Sequence, residues 1–149
     1  MAYRASRPDS VRPMIARLTL RFLAVLAAVA LGATGCGGGT PPAPKVPDDA
    51  VDFTGQAEVT VASLDNKYVE RIIVVTAGTD VTWVNEGRNR HNVLPSIDGR
   101  FEPIPTTDLD DGGSATRTFD TVGEFAYYCS IHGNINRGQR GWVYVLPAP

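Results

Sequence analysis

Alternation of apolar and polar residues with a period of two dominates among six short segments of this chain, and no window of a dozen residues carries a 3.6-residue apolar period. The segments are AEVTVASL (57–64), RIIVVTAG (71–78), TDVTWVN (79–85), SATRTF (114–119), GEFAYYC (123–129) and GWVYVL (141–146). Each is rich in Val, Ile, Thr or aromatic residues and is bounded by Gly, Asp or Asn, the residue chemistry of strands and their turns. Short strands punctuated in this way predict an all-β sandwich, with TAGTD as a tight turn between two strands. Residues 95–113, with three prolines and many acids, are expected to form a long irregular connection.

The first fifty residues do not share this pattern. Arg4, Arg7, Arg12, Arg17 and Arg21 precede the apolar run FLAVLAAVAL, residues 22–31, and small residues follow. A basic start, a short apolar stretch and small residues form the pattern of a secretory signal, expected here over residues 1–35, with Met1 or Met14 as the start. The run has 10 residues, against about 20 for a membrane-crossing helix. Ala33, Thr34 and Gly35 before Cys36 resemble a bacterial lipobox, with Ala33 in place of its usual leucine. Two readings of Cys36 stand: a lipidated anchor, favoured by its position and neighbours, or an ordinary cleavage site with an incidental cysteine. Residues 36–50 are Gly-, Pro- and Asp-rich and read as a flexible, lipid-anchored linker. The folded domain is then expected over residues 51–149. This organisation places the protein outside the cytoplasm, on the periplasmic or cell-surface side of a bacterial membrane.

From Cys36 onward, nine Lys and Arg face fifteen Asp and Glu, a net charge of −6. Such an acidic exported domain has no electrostatic reason to bind nucleic acid. The chain has two cysteines. With Cys36 lipidated, Cys129 is the lone thiol, and a lone thiol in an oxidising compartment calls for something on its sulfur. A metal ion meets that need.

If residues 123–129 form a strand, Phe125, Tyr127 and Cys129 share its inward face, and Ala126, Tyr128 and Ser130 the other. His132 follows Cys129 by three residues, in a loop that returns through Gly138 and Gly141. Cysteine sulfur and histidine nitrogen together suit copper or zinc. The other histidine of the chain, His91, lies 38 residues before Cys129 and follows the strand ending WVN by a few residues. That spacing allows all three to meet at one pole of a sandwich. Two imidazoles, a thiolate and a weak axial donor form the blue-copper arrangement.

The stretches YVERIIVVTAGTDVTWVNEGRNRHNV (68–93) and GEFAYYCSIHGNINRGQRGWVYV (123–145) resemble the plastocyanin-like branch of the cupredoxin family, over roughly half of the exported chain. The shared features are the glycine turn before V-T-W-x-N, His-Asn-Val, G-x-F-x-Y-x-C, C-S-x-H-G and the closing G-x-V-x-V. The resemblance implies a Greek-key β-sandwich holding one type 1 copper ion, with His91, Cys129 and His132 as the strong ligands. It also implies that Asn92 ties the His91 loop to the Cys129 loop by hydrogen bonding. Many relatives carry methionine two residues before the closing glycine, here Gly141, and Gln139 stands in that place. Both methionines, Met1 and Met14, lie in the expected signal, so a thioether ligand is excluded. Gln139 is read as the axial ligand through its amide oxygen, as in stellacyanin-like sites. The alternative is a solvated loop glutamine, with the axial place empty or filled by a backbone carbonyl. An oxygen donor favours Cu(II) and lowers the reduction potential.

The function implied is single-electron transfer between redox partner proteins by a monomer confined to a membrane surface. The rival is a copper-binding module for storage or delivery. An enzyme is not expected, because multicopper oxidation needs more histidines than two. Tyr128 is either a second electron route or a packing aromatic. Arg88, Arg90, Arg137 and Arg140 either steer an acidic partner or pair with Asp98, Glu102, Asp108, Asp110 and Asp111.

Overall fold

Alternation builds the central strands as expected. In TDVTWVN every second residue is buried, which makes Thr79–Asn85 a half-buried strand. A computed structural model describes residues 41–149 of the chain. The expected signal (1–35), Cys36 and the linker up to residue 40 lie outside the described residues. In order, the strands are β1 (Val51–Asp52), β2 (Glu58–Leu64), β3 (Lys67–Tyr68), β4 (Ile72–Thr76), β5 (Thr79–Asn85), β6 (Leu94–Pro95), β7 (Ser114–Phe119), β8 (Gly123–Asn134) and β9 (Arg137–Leu146). There is no helix among the described residues.

The strands form a sandwich of two mixed sheets, one ordered β1-β4-β9-β8-β6 and the other β3-β2-β5-β7. β1 with β4, β4 with β9, and β2 with β5 pair in parallel, while β8 with β9 and β5 with β7 are antiparallel. The tight turn at TAGTD does not make a hairpin. It carries the chain from one sheet to the other, and Gly78 (φ 95°) supplies the left-handed backbone there. Between the sheets, the ring of Tyr127 meets Trp83 edge-on at 5.2 Å and Tyr68 at 5.0 Å, and Phe119 meets Phe125 at 5.0 Å. Gly141 lies opposite Tyr127 in the β8–β9 ladder. A Cβ there would lie 2.3 Å from Cζ and from the hydroxyl oxygen of Tyr127, so glycine is required for this packing.

Two features differ from the sequence reading. The expected linker 36–50 is not loose to its end. Val46 and Ala50 pack on the outer face of the five-stranded sheet against Ile72, Val74 and Tyr144, and Asp49 pairs with Arg71 at 3.6 Å. This cover explains why β4 is apolar on both faces. The packed domain therefore begins by Val46. Secondly, His132 lies within β8 and not in a loop beyond it. The connection 95–113 is irregular as expected, and it is anchored: Ile104 bridges to Val93, and Ile104 and Leu109 are fully buried in the core.

Candidate metal centre

Cys129 ends the inward row that begins with Phe125 and Tyr127, and all three are buried. In a regular strand, residues three apart point to opposite faces. The register between β8 and β9 slips between Tyr128 and Gly133. This irregularity re-aims His132 toward the side of Cys129, the usual effect of a bulge. Nδ1 of His132 comes to 3.5 Å from Sγ of Cys129. Beyond it, Gly133 pairs with Gly138, whose φ is 85°. A Cβ at Gly133 would lie 2.6 Å from the Arg137 carbonyl, so the hairpin closes only with glycine here.

His91 arrives from the end of β5. Its Nδ1 lies 3.9 Å from Sγ of Cys129 and 3.1 Å from Oε1 of Gln139. One ligand atom from each of His91, Cys129 and His132 lies within 4.8 Å of the others. His91, Cys129 and Gln139 are buried, and His132 is half-buried at the rim. Burial, followed by the neighbouring His132, holds the His91 pKa below its ordinary value, while the Gln139 hydrogen bond acts the other way. Its Nε2 is buried without a partner among the described residues. Two imidazole nitrogens and a sulfur converging in a buried pocket form a donor set that copper fits.

The surrounding side chains hold this geometry. Asn92 donates from Nδ2 to Ser130 Oγ (2.9 Å), and its Oδ1 accepts from Ser130 N–H (2.9 Å), so the expected tie between the two loops is present. Tyr68 adds a second tie by donating its hydroxyl to the Asn92 carbonyl at 2.6 Å. Asn85 organises the His91 loop: its Nδ2 reaches the carbonyls of Asn89, Leu109 and Asp110, and its Oδ1 accepts from Gly87 N–H. Asp65 grips the same loop from the β2–β3 turn. The sequence reading did not single out Tyr68, Asn85 or Asp65. Asn85 stood inside the V-T-W-x-N motif, so a signal was present for it.

Tyr128 faces away from the core and is half-buried. The four arginines do not pair with the acids of residues 98–111 among the described residues. Arg88 pairs with Asp65 at 3.4 Å, and Arg140 stacks on Trp142 at 4.7 Å. Arg90 and Arg137 are exposed.

A family model described as copper binding proteins, plastocyanin/azurin family, matches residues 55–145. A chloroplastic plastocyanin from Tetradesmus obliquus is 34% identical over 67 residues, which are 40% of this chain and 46% of that protein. The chain thus spans about half the length of this relative. A reduced amicyanin variant superposes with a TM-score of 0.51 at 26% identity, covering 59% of this chain and 81% of that one. A Cu-containing nitrite reductase from Thermus scotoductus SA-01 is also similar, with a TM-score of 0.48 at 28% identity, covering 61% of this chain and 22% of that one.

Proposed function

The chain belongs to the plastocyanin/azurin family of copper binding proteins, and from that premise we propose that it is a type 1 copper electron carrier, exported and tethered to a membrane surface. The observation that carries this reading is the convergence of His91 Nδ1, His132 Nδ1 and Cys129 Sγ in one buried pocket, with Gln139 Oε1 beside them. When bound, copper supplies a one-electron couple between its cupric and cuprous states.

The remaining work belongs to the chain's own residues. His91, Cys129 and His132 would hold the ion, and the amide oxygen of Gln139, 3.1 Å from His91 Nδ1, would serve as a further, weaker donor. Ties from Asn92 to Ser130 and from Asn85 to the His91 loop fix the donors before metal arrives. A donor set held rigid in this way needs little rearrangement when charge changes. Burial of three donors keeps water away, while the half-buried edge of His132 reaches the surface. Ile131 and Ile135, close to His132 in the chain, are exposed and offer apolar surface to a partner. Arg90 and Arg137, free of the acids 98–111, support steering of a partner with an acidic face.

A storage or delivery module presents its ion to a receiver, and the burial of His91, Cys129 and Gln139 supports the carrier instead. Were Gln139 to bind, it would leave the ion no open position for substrate, which supports a carrier over a catalyst. The basic start, apolar run and Cys36 support export and lipid anchoring. Among the described residues no helix is long and apolar enough to cross a membrane. The partners are redox proteins, met by a monomer. The visible and paramagnetic-resonance spectra of the copper-loaded protein test the centre. An intense thiolate-to-copper band is expected, and its absence removes the blue-copper reading.

A further inference from the structure

β2 and β3 are joined by a two-residue turn. Leu64 pairs with Lys67, and Asn66 takes a left-handed φ of 68°, which asparagine tolerates. Neither Leu64 nor Asp65 is close in sequence to any donor of the metal centre, yet both hold parts of it. Oδ1 of Asp65 accepts from the backbone N–H of Arg88 (2.9 Å), the backbone N–H of Asn89 (3.1 Å) and the side-chain amide of Asn89 (3.1 Å). Oδ2 faces Nε of Arg88 at 3.4 Å. Gly87 lies flat on the turn: a Cβ there would come 2.8 Å from Asp65 Oδ1 and 2.9 Å from Asp65 N. The N–H groups of Glu86 and Gly87 both donate to the Ser63 carbonyl at 3.1 Å. Residues 86–89 are therefore wrapped around the tip of β2, and His91 follows two residues later. From the opposite side, Nε2 of Gln139 points at the Leu64 carbonyl at 3.5 Å, while its Oε1 faces His91.

We propose that Asp65 is a positioning residue for the copper centre: the Leu64–Asn66 turn holds the His91 loop through Asp65 and the Gln139 amide through Leu64, and so sets the separation between imidazole and amide oxygen. The inference rests on the copper reading above. A hydrogen-bond partner of this kind orients a donor without touching the metal. Gln139 has one oxygen and one amide nitrogen. Directing the nitrogen to Leu64 presents the oxygen to the pocket. If the loop drifts from the turn, His91 moves relative to that oxygen while Cys129 and His132, on β8, stay in place.

The test compares copper-loaded wild type with Asp65→Ala and Asp65→Asn by visible and paramagnetic-resonance spectra, reduction potential and copper retention against a chelator. Asparagine keeps the Oδ1 acceptor and alanine does not. Asp65→Ala is expected to change the copper spectrum, shift the potential and lower copper affinity by about tenfold or more, and Asp65→Asn to restore the wild-type spectrum. Asp52→Ala, which removes the bond from Asp52 to Thr54 N–H (2.8 Å) outside the centre, is expected to leave the spectrum unchanged. The proposal is overturned by a wild-type spectrum and potential in Asp65→Ala, by equal changes in Asp65→Asn, or by an equal change in Asp52→Ala. If Asp65→Ala does not fold, Gly87→Ala displaces the same loop by its added methyl; an altered spectrum supports the proposal and an unaltered one overturns it. Failure of the copper reading itself is seen separately, as a missing thiolate-to-copper band in the wild type.

Discussion

Oε1 of Gln139 lies 3.1 Å from Nδ1 of His91, although 48 residues separate them in the chain. Gln139 is buried at 1% exposure and is not a solvated loop residue. The same imidazole nitrogen faces the Cys129 sulfur at 3.9 Å. The amide oxygen thus stands against the same His91 nitrogen that faces the sulfur.

Replacing Gln139 with methionine exchanges an oxygen donor for a softer thioether, which favours Cu(I). The reduction potential of Gln139→Met is expected to rise. A tenfold change in preference between the two oxidation states corresponds to about 59 mV for one electron, and a rise of at least that size is expected. Voltammetry of both proteins measures it; an unchanged potential argues against an axial role for the amide.

Metal binding to the native donors alone stabilises the fold by mass action. At a free copper concentration of about a hundred times Kd, the gain is roughly 2.7 kcal/mol. Thermal unfolding with and without a chelator checks this. The metal-free protein is expected to keep its β-sheet circular dichroism and to melt at a lower temperature, because the aromatic core does not depend on the ion. Equal melting temperatures mean that copper is not held by the folded centre.

Asn92→Ala removes both hydrogen bonds from the Asn92 side chain to Ser130, beside Cys129. Leaving partly buried partners unpaired costs about 1–3 kcal/mol. A loss of that order in denaturant unfolding is expected, together with faster release of copper. A variant as stable as wild type would show that water replaces Asn92 without penalty.

The carboxyl of Asp65 is held below its ordinary pKa, first by the backbone N–H of Arg88 and then, against the effect of burial, by Asn89 and the Arg88 side chain. A depressed carboxylate contributes stability that is fully present above the unfolded value near 3.8 and is lost as pH falls through the lower folded value. Asp52 behaves alike through Thr54. Acid unfolding of the metal-free protein should therefore steepen below about pH 4. Asp65→Asn, which cannot titrate, is expected to show a shallower acid limb than wild type in stability measured against pH. Identical acid limbs would remove Asp65 from this account.

The strands of the sandwich were largely legible in the sequence. β5 and β7 lie at the residues that their alternation marks, Thr79–Asn85 and Ser114–Phe119. The ends of β8 and β9 were not, since the hairpin arm beyond Cys129 is held by cross-strand bonds between residues that no local period marks. Val46 and Ala50 lie in a Pro- and Asp-rich segment whose composition marks a linker, yet their apolar side chains find the outer face of β4 and β9.

Taken by itself, the sequence determined the period-two pattern, hence two half-buried sheets, and it named the scarce donors, because histidine, cysteine and methionine are so few that their positions restrict the chemistry. Only the tertiary structure decided how those donors meet. A slipped register turns His132 toward Cys129, and the turn at Leu64–Asn66 bonds to the loop residues that precede His91 and to the Gln139 amide. The physical reason is range: a strand's alternation is set by each residue and its next neighbours, whereas hydrogen bonds such as that from Gln139 to Leu64, 75 residues apart, exist only once the two sheets have packed.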